Sequence, residues 1–230
     1  MQTTASFPFS LPRTLRRYYR RLHRHFGRQQ WWPARTRFEV ILGALLTQNT
    51  AWVNVKRALS NLRRAGVLSP KKLARVPRQR LTRYVRPSGY FRQKSRYLRG
   101  FLEHLQKHYQ GSLPRLLRQP APALRQELLS LPGIGPETAN SILLYAAGHP
   151  VFVIDAYTRR VLARHGLAGE KASYEELQDF FHQNLPRDAR LFNEYHALLV
   201  AVGKEYCHRV RPDCNACPLG IELEPAHGRS

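Results

Sequence analysis

Residues 131–155 read LPGIGPETANSILLYAAGHPVFVID, and this stretch governs how the rest of the chain is read. Leu131-Pro132-Gly133-Ile134-Gly135 is a tight turn between two apolar helical patterns. Leu124, Leu128 and Leu129 stand on the helix before it, and Pro136 to Ala147 form the helix after it. Without a Cβ, Gly133 and Gly135 leave backbone N–H groups that a phosphate can approach closely. Pro136 suits the first position of the second helix, where its missing N–H is no loss. Asp155 then follows the apolar run Val151-Phe152-Val153-Ile154. The order of parts is a backbone clamp for phosphates, then a lone carboxylate at the end of a buried segment.

The charge balance agrees with a phosphate partner. The 230 residues carry a formal net charge of +23. Residues 1–126 hold 28 Lys/Arg against only Glu39 and Glu103, while residues 127–230 hold 10 Lys/Arg against 13 Asp/Glu. Such a surface attracts a polyanion, most simply a nucleic acid backbone, although charge alone does not separate DNA from RNA or an anionic membrane. No run approaches the ~20 apolar residues of a membrane span, and no secretory apolar region is present. Three cysteines fit a reduced intracellular compartment better than a disulfide framework. The first 38 residues contain nine Arg and no acid, as a transit peptide would. Leu15, Tyr18, Tyr19, Leu22 and Phe26 nevertheless repeat at helical spacing, which predicts a structural amphipathic helix with a basic outer face.

Helical periodicity dominates, and strand signals are weak. Helices are expected around Phe38–Leu46, from Val53 to Leu62, after Ser69-Pro70, at Leu81–Val85, and at Tyr97–Tyr109. Further helices are expected at 158–164, 174–184 and 188–205. The expected class is all-α, and no Gly/Ser linker divides the chain.

Gly-rich hairpin, basic charge and Asp155 together resemble the helix-hairpin-helix DNA glycosylases of the endonuclease III superfamily. The resemblance runs from about Trp31 to Cys217. It implies two helical lobes: a six-helix unit at 29–149, and a second lobe from 1–28 and 150–230. Double-stranded DNA with a damaged base would lie in the cleft between them, and the protein would act as an intracellular monomer. If bacterial, it would be cytoplasmic and nucleoid-associated.

The resemblance also assigns roles. Asp155 would promote cleavage of the N-glycosidic bond: a carboxylate stabilises the oxocarbenium-like sugar and can orient the attacking water. The plain alternative is that Asp155 caps the helix bearing Arg159 and Arg160, and both can hold at once. Gly133 and Gly135 would grip DNA phosphates. Gln48, in Leu45-Leu46-Thr47-Gln48-Asn49-Thr50, would fill the gap left by the flipped base, with Asn49 beside it as a helix cap. Glu137 stands where bifunctional members carry the Lys that forms a Schiff base. A carboxylate cannot do that, which implies a monofunctional enzyme.

Trp31, Trp32 and Trp52 are all the tryptophans of the chain. Core packing is the ordinary fate of such residues. The segments Trp31-Trp32-Pro33, Leu46–Thr50, Val85-Arg86-Pro87-Ser88-Gly89-Tyr90 and Gly135-Pro136-Glu137 look like the 3-methyladenine DNA glycosylase III subgroup. There, aromatic rings sandwich the extruded base. An N3-alkylated purine is cationic, so an electron-rich pocket attracts it, and its charged ring leaves with little acid assistance. The expected function is therefore removal of alkylated purines such as 3-methyladenine. An endonuclease III-like pyrimidine-lesion or mismatch glycosylase is the alternative within the class, and a non-catalytic DNA-binding protein the alternative outside it.

Cys207, Cys214 and Cys217 give C-x6-C-x2-C. Many superfamily members add a fourth Cys after five intervening residues to hold a [4Fe–4S] cluster within a loop that here spans 207–223. That place is Leu223, so the fourth ligand is missing, with Glu222, Glu224 and His227 as nearby replacements. Cysteine spacing and the intact basic loop Cys207-His208-Arg209-Val210-Arg211 favour a cluster with one weak ligand over a degenerate loop. A zinc site completed by His208 or His227 is a further option.

Overall fold

The structure, a computed structural model, describes residues 11–169 and 171–223, which form helices and loops without a strand. It divides into two compact units. One is Trp32–His149, and the other comprises the described parts of Met1–Trp31 and Pro150–Ser230.

The unit Trp32–His149 is built around α2 (Arg37–Leu46), in which every residue from Phe38 to Leu46 is buried. A helix apolar on all sides must be enclosed, and α3 (Trp52–Arg64), α6 (Phe91–Tyr109) and α9 (Pro136–Ser141) pack against it. Thr36 starts α2 by accepting the Glu39 N–H at 3.1 Å. Glu39 reaches back to the Arg35 N–H at 2.8 Å, and its buried charge is answered by Arg63 at 3.1 Å. The remaining elements are α4 (Pro70–Ala74), α5 (Arg78–Val85), α7 (Leu113–Leu117) and α8 (Ala121–Leu129). Six of these helices are longer, and two, α4 and α7, are single turns. Each single turn has a proline at its first or second position, Pro70 in α4 and Pro114 in α7, whose fixed φ starts a helix readily. The helix after the hairpin continues past Ser141 as a π-helical stretch, Ile142–Ala147, ended by Gly148 at φ +80°.

The other unit packs α1 (Leu11–Phe26) against α12 (Ala189–Glu205) and α11 (Tyr174–Asn184), with α10 (Ala156–Arg164) against α12. The helical reading of the Arg-rich start holds from Leu11 onward. Leu15, Tyr18 and Leu22 are buried on one stripe, and the Tyr195 hydroxyl donates to the Leu15 carbonyl at 2.9 Å. The extended segment Phe152-Val153-Ile154 crosses the centre fully buried. Its Phe152 ring stacks on Phe181 at 3.7 Å.

A buried extended segment has no helical ladder to satisfy its backbone. Here α11 supplies the partners from side chains. The Phe152 N–H donates to His182 Nε2 at 2.9 Å, and Gln178 donates to the Phe152 carbonyl at 2.5 Å. The Ile154 N–H donates to the Tyr174 hydroxyl at 3.2 Å. His182 must be unprotonated to accept. Its pKa is pushed down to about 4, chiefly by burial and then by Arg187, against a pull from Asp179. His165, which pairs with the Tyr18 hydroxyl at 2.8 Å, is likewise held at about 4 by burial first.

An unfolded histidine takes up its proton near pH ~6.5, whereas these two stay neutral in the fold until about pH 4. Between those values the unfolded chain binds more protons, so stability falls as pH is lowered through the window and levels off below it. The melting temperature, followed by circular dichroism from pH ~7 to ~4, should fall over that range. The decline should be shallower in His182→Gln, whose amide oxygen can still accept from Phe152.

Candidate active site

Asp155 ends the buried segment and begins α10. Its backbone is extended (φ −109°, ψ −179°), and its Oδ1 accepts the Thr158 N–H at 2.7 Å. The capping role foreseen as the plain alternative is therefore real. The helix N-terminus also provides a partial positive charge that favours the carboxylate. The second oxygen, Oδ2, lies 3.5 Å from His196 Nε2 of α12. The Asp155 side chain is 12% exposed and that of His196 6%. Burial by itself works against ionisation of Asp155. The nearby His196 first, and then Thr158 at the helix N-terminus, outweigh it and hold the carboxyl below its usual range.

The hairpin turn joins α8 to α9. Gly133 sits at φ +82°, and a Cβ there would meet the Tyr97 ring at 2.1 Å, so both backbone and packing demand glycine. Gly135 is extended, exposed, and has open space around its Cβ position, which leaves its face approachable. Glu137 is exposed in the first turn of α9.

Gln48 follows the end of α2 and lies against the hairpin. Its Nε2 donates to the Gly133 carbonyl at 2.7 Å and to the Thr138 hydroxyl at 3.1 Å, so it braces the hairpin from the end of α2. Asn49 does not cap α2. Thr47 does, and exposed Asn49 takes the left-handed conformation at φ +50°. The same corner is pinned by Lys94 of α6, a buried lysine whose Nζ donates to the Leu46 carbonyl at 2.9 Å and the Ser88 carbonyl at 2.6 Å. Burial lowers the Lys94 pKa.

The three tryptophans are half-buried rather than core residues. Trp32 stands edge-on to Trp52 (5.2 Å, 90°) and tilted to Tyr145 (5.2 Å, 49°). Its indole packs so closely on Gly43 that a Cβ there would lie 3.0 Å away. Trp31 belongs to the other unit, where Lys204 Nζ lies 5.6 Å from its ring and 6.0 Å from that of Tyr157.

Cys207, Cys214 and Cys217 line one cavity of about 150 Å³, together with His165, Asp213 and Leu223. The thiols are thus gathered on one space, and among the described residues they supply three of the four thiolates that a [4Fe–4S] cluster takes. Leu223 offers no ligand, and among the described residues no three or more His, Cys, Asp or Glu side chains are disposed to hold a metal ion. Glu222 is otherwise engaged: it bridges Arg17 (2.7 Å) and Arg21 (2.6 Å) of α1, and its side chain is 7% exposed. His208 is exposed, and Glu224 and His227 lie outside the described residues. Arg164 donates to Cys207 Sγ at 3.2 Å. Burial raises the Cys217 thiol pKa.

His196, Lys94, Thr138 and Tyr145 were not singled out from the sequence. His196 lies within the apolar run Tyr195-His196-Ala197-Leu198-Leu199, where a histidine is the one polar residue, and that contrast was the available signal. Lys94 had none, because it stands among other cationic residues on α6.

Comparison with known proteins agrees with this geometry. Residues 42–187 match the HhH-GPD superfamily of base excision DNA repair proteins. A Methanocaldococcus jannaschii protein provisionally named a DNA repair glycosylase is 42% identical over 203 residues, which make up 87% of this chain and 91% of that protein. H. pylori 3-methyladenine DNA glycosylase, solved with 1,N6-ethenoadenine, is 30% identical, with a TM-score of 0.74 over 86% of this chain and 98% of that one. Endonuclease III in a trapped covalent complex with DNA shares the fold at a TM-score of 0.79 and 24% identity, over 92% of this chain and 94% of that one. The chain belongs to the HhH-GPD superfamily of base excision DNA repair proteins and is a DNA glycosylase of that superfamily.

Proposed function

We propose that this glycosylase is monofunctional and hydrolyses the N-glycosidic bond of alkylated purines such as 3-methyladenine in double-stranded DNA, acting as a monomer. One observation carries the reading. The chain keeps an ionised, helix-capped carboxylate at Asp155 while presenting a carboxylate, Glu137, at the hairpin position where an amine would be needed for a Schiff base. Asp155 stabilises positive charge on the sugar and orients the incoming water. Gly133 and Gly135 offer backbone N–H groups to a phosphate, with Gln48 keeping the turn in shape. Trp32, Trp52 and Tyr145 supply aromatic faces suited to a cationic base, and the 30% identity to a 3-methyladenine glycosylase supports that substrate class.

Incubation with methylated duplex DNA should release free 3-methyladenine, identified by chromatography. Borohydride should trap no covalent protein–DNA adduct. An adduct, or release of oxidised pyrimidines instead, would point to the endonuclease III-like alternative. Absence of base release from every damaged substrate would leave a DNA-binding protein.

Asp155→Asn separates the chemistry from the cap, because asparagine caps a helix as well as aspartate does. This variant should lose about 10²–10³-fold in single-turnover base release. Its melting temperature and its affinity for duplex DNA should be preserved. An equal loss in DNA affinity would assign Asp155 to binding rather than catalysis.

For the cysteine loop, we propose that three thiols and Leu223 give no stable four-ligand site. The purified protein should carry less than one cluster's iron per chain, and Leu223→Cys should purify brown with iron and acid-labile sulfide bound. Stoichiometric iron in the parent would show that some other group completes the set.

A further inference from the structure

Asp155 and His196 are far apart in sequence and meet through the packing of α10 against α12. His196 is buried beside Phe152, whose ring centroid lies 6.5 Å from its own. A buried imidazole is stable only where its polar edge meets a partner, and the Nε2 edge is turned to Asp155 Oδ2 at 3.5 Å. That is ion-pair reach rather than a close hydrogen bond, and contacts of catalytic groups tighten once substrate is bound.

We propose that His196 is a positioning residue for Asp155, its Nε2 edge setting the orientation of the carboxylate and keeping it charged for the glycosylase reaction proposed above. The N-cap bond to Thr158 fixes Oδ1 only, which leaves the second oxygen to be set by another element. Each carboxylate oxygen has two acceptor sites, so Oδ2 can face His196 and still act on a sugar or a water. Polar and charged side chains of the neighbouring elements have partners of their own. Arg159 of α10 donates to the Ala172 carbonyl at 2.5 Å, and the Tyr174 hydroxyl of α11 accepts the Ile154 N–H. Lys204 of α12 lies over the Trp31 and Tyr157 rings. The groups that favour the charged form of Asp155 are His196 and, from α10, Thr158.

The role rests on the glycosylase reading, and its test separates the two. The ¹³C carboxyl resonance of Asp155 is titrated by NMR in the parent, His196→Asn and His196→Leu. Single-turnover release of 3-methyladenine is measured across pH in the same proteins. Asparagine keeps an N–H donor without the imidazole, and leucine has neither at similar volume. In His196→Leu the Asp155 midpoint should rise by about one pH unit. The acid limb of the release profile should move up with it, and release should slow about tenfold or more. His196→Asn should show an intermediate midpoint and restore release to within about threefold of the parent.

Superimposable Asp155 titrations in all three proteins would overturn the proposal, as would equal losses of release in the Asn and Leu variants. Where His196→Leu does not fold, the Asn variant decides: a raised midpoint with release retained supports the role, and an unmoved midpoint refutes it. A parent that releases no base would refute the glycosylase reading and the positioning role with it, while the titration would still show whether His196 and Asp155 are coupled.

Discussion

The extended run Phe152-Val153-Ile154 has to be buried and has no regular partner for its peptide groups. Three side chains of α11 meet that demand, and in doing so they fix the path of the backbone to within hydrogen-bond tolerance. The chain leaves this run at Asp155, where it turns into α10. The carboxylate therefore stands at the junction of two constraints, a satisfied buried backbone behind it and a helix N-terminus ahead. Its location follows from the first, and its charged state from His196 of α12 together with the Thr158 cap. Neither would suffice alone: a capping aspartate on a loose loop is mobile, and a buried carboxylate without such partners is protonated.

The unit Trp32–His149 solves a different problem with similar means. The end of α2 must present Gln48 to the hairpin, and a helix terminus leaves carbonyls without partners. Lys94 answers the Leu46 carbonyl with a cation buried in the unit and answers Ser88 with the same ammonium group. The Gln48 amide then reaches both Gly133 and Thr138. The Gly-rich turn is held in this way from its own helix and from α2, so its exposed backbone does not need a ligand to keep its form.

Much of this was legible in the residues, and the reason differs from part to part. Helix limits at Tyr174–Asn184 and around the hairpin were readable because caps, prolines and glycines act locally. The cap at Asp155 was readable for the same reason. What the sequence concealed depends on contacts between distant residues. Gln178, His182 and Tyr174 look like an ordinary polar face of α11, and only the fold shows that this face meets a buried backbone. The hydrogen bonds of the Gln48 amide to the hairpin were hidden because its partners lie 85 and 90 positions away. Cysteine spacing located the thiols on one cavity, yet the engagement of Glu222 with α1 could not be inferred from spacing.

That engagement has a consequence for how the cysteine loop is moored. Glu222 grips two arginines on successive turns of α1, so the far end of the loop is tied to the start of the chain by charge. An electrostatic mooring of this kind, partly open to water, loosens as ionic strength rises and is indifferent to oxidants and chelators. The first and last described helices of the protein thus share a fastening whose firmness is set by the salt around it.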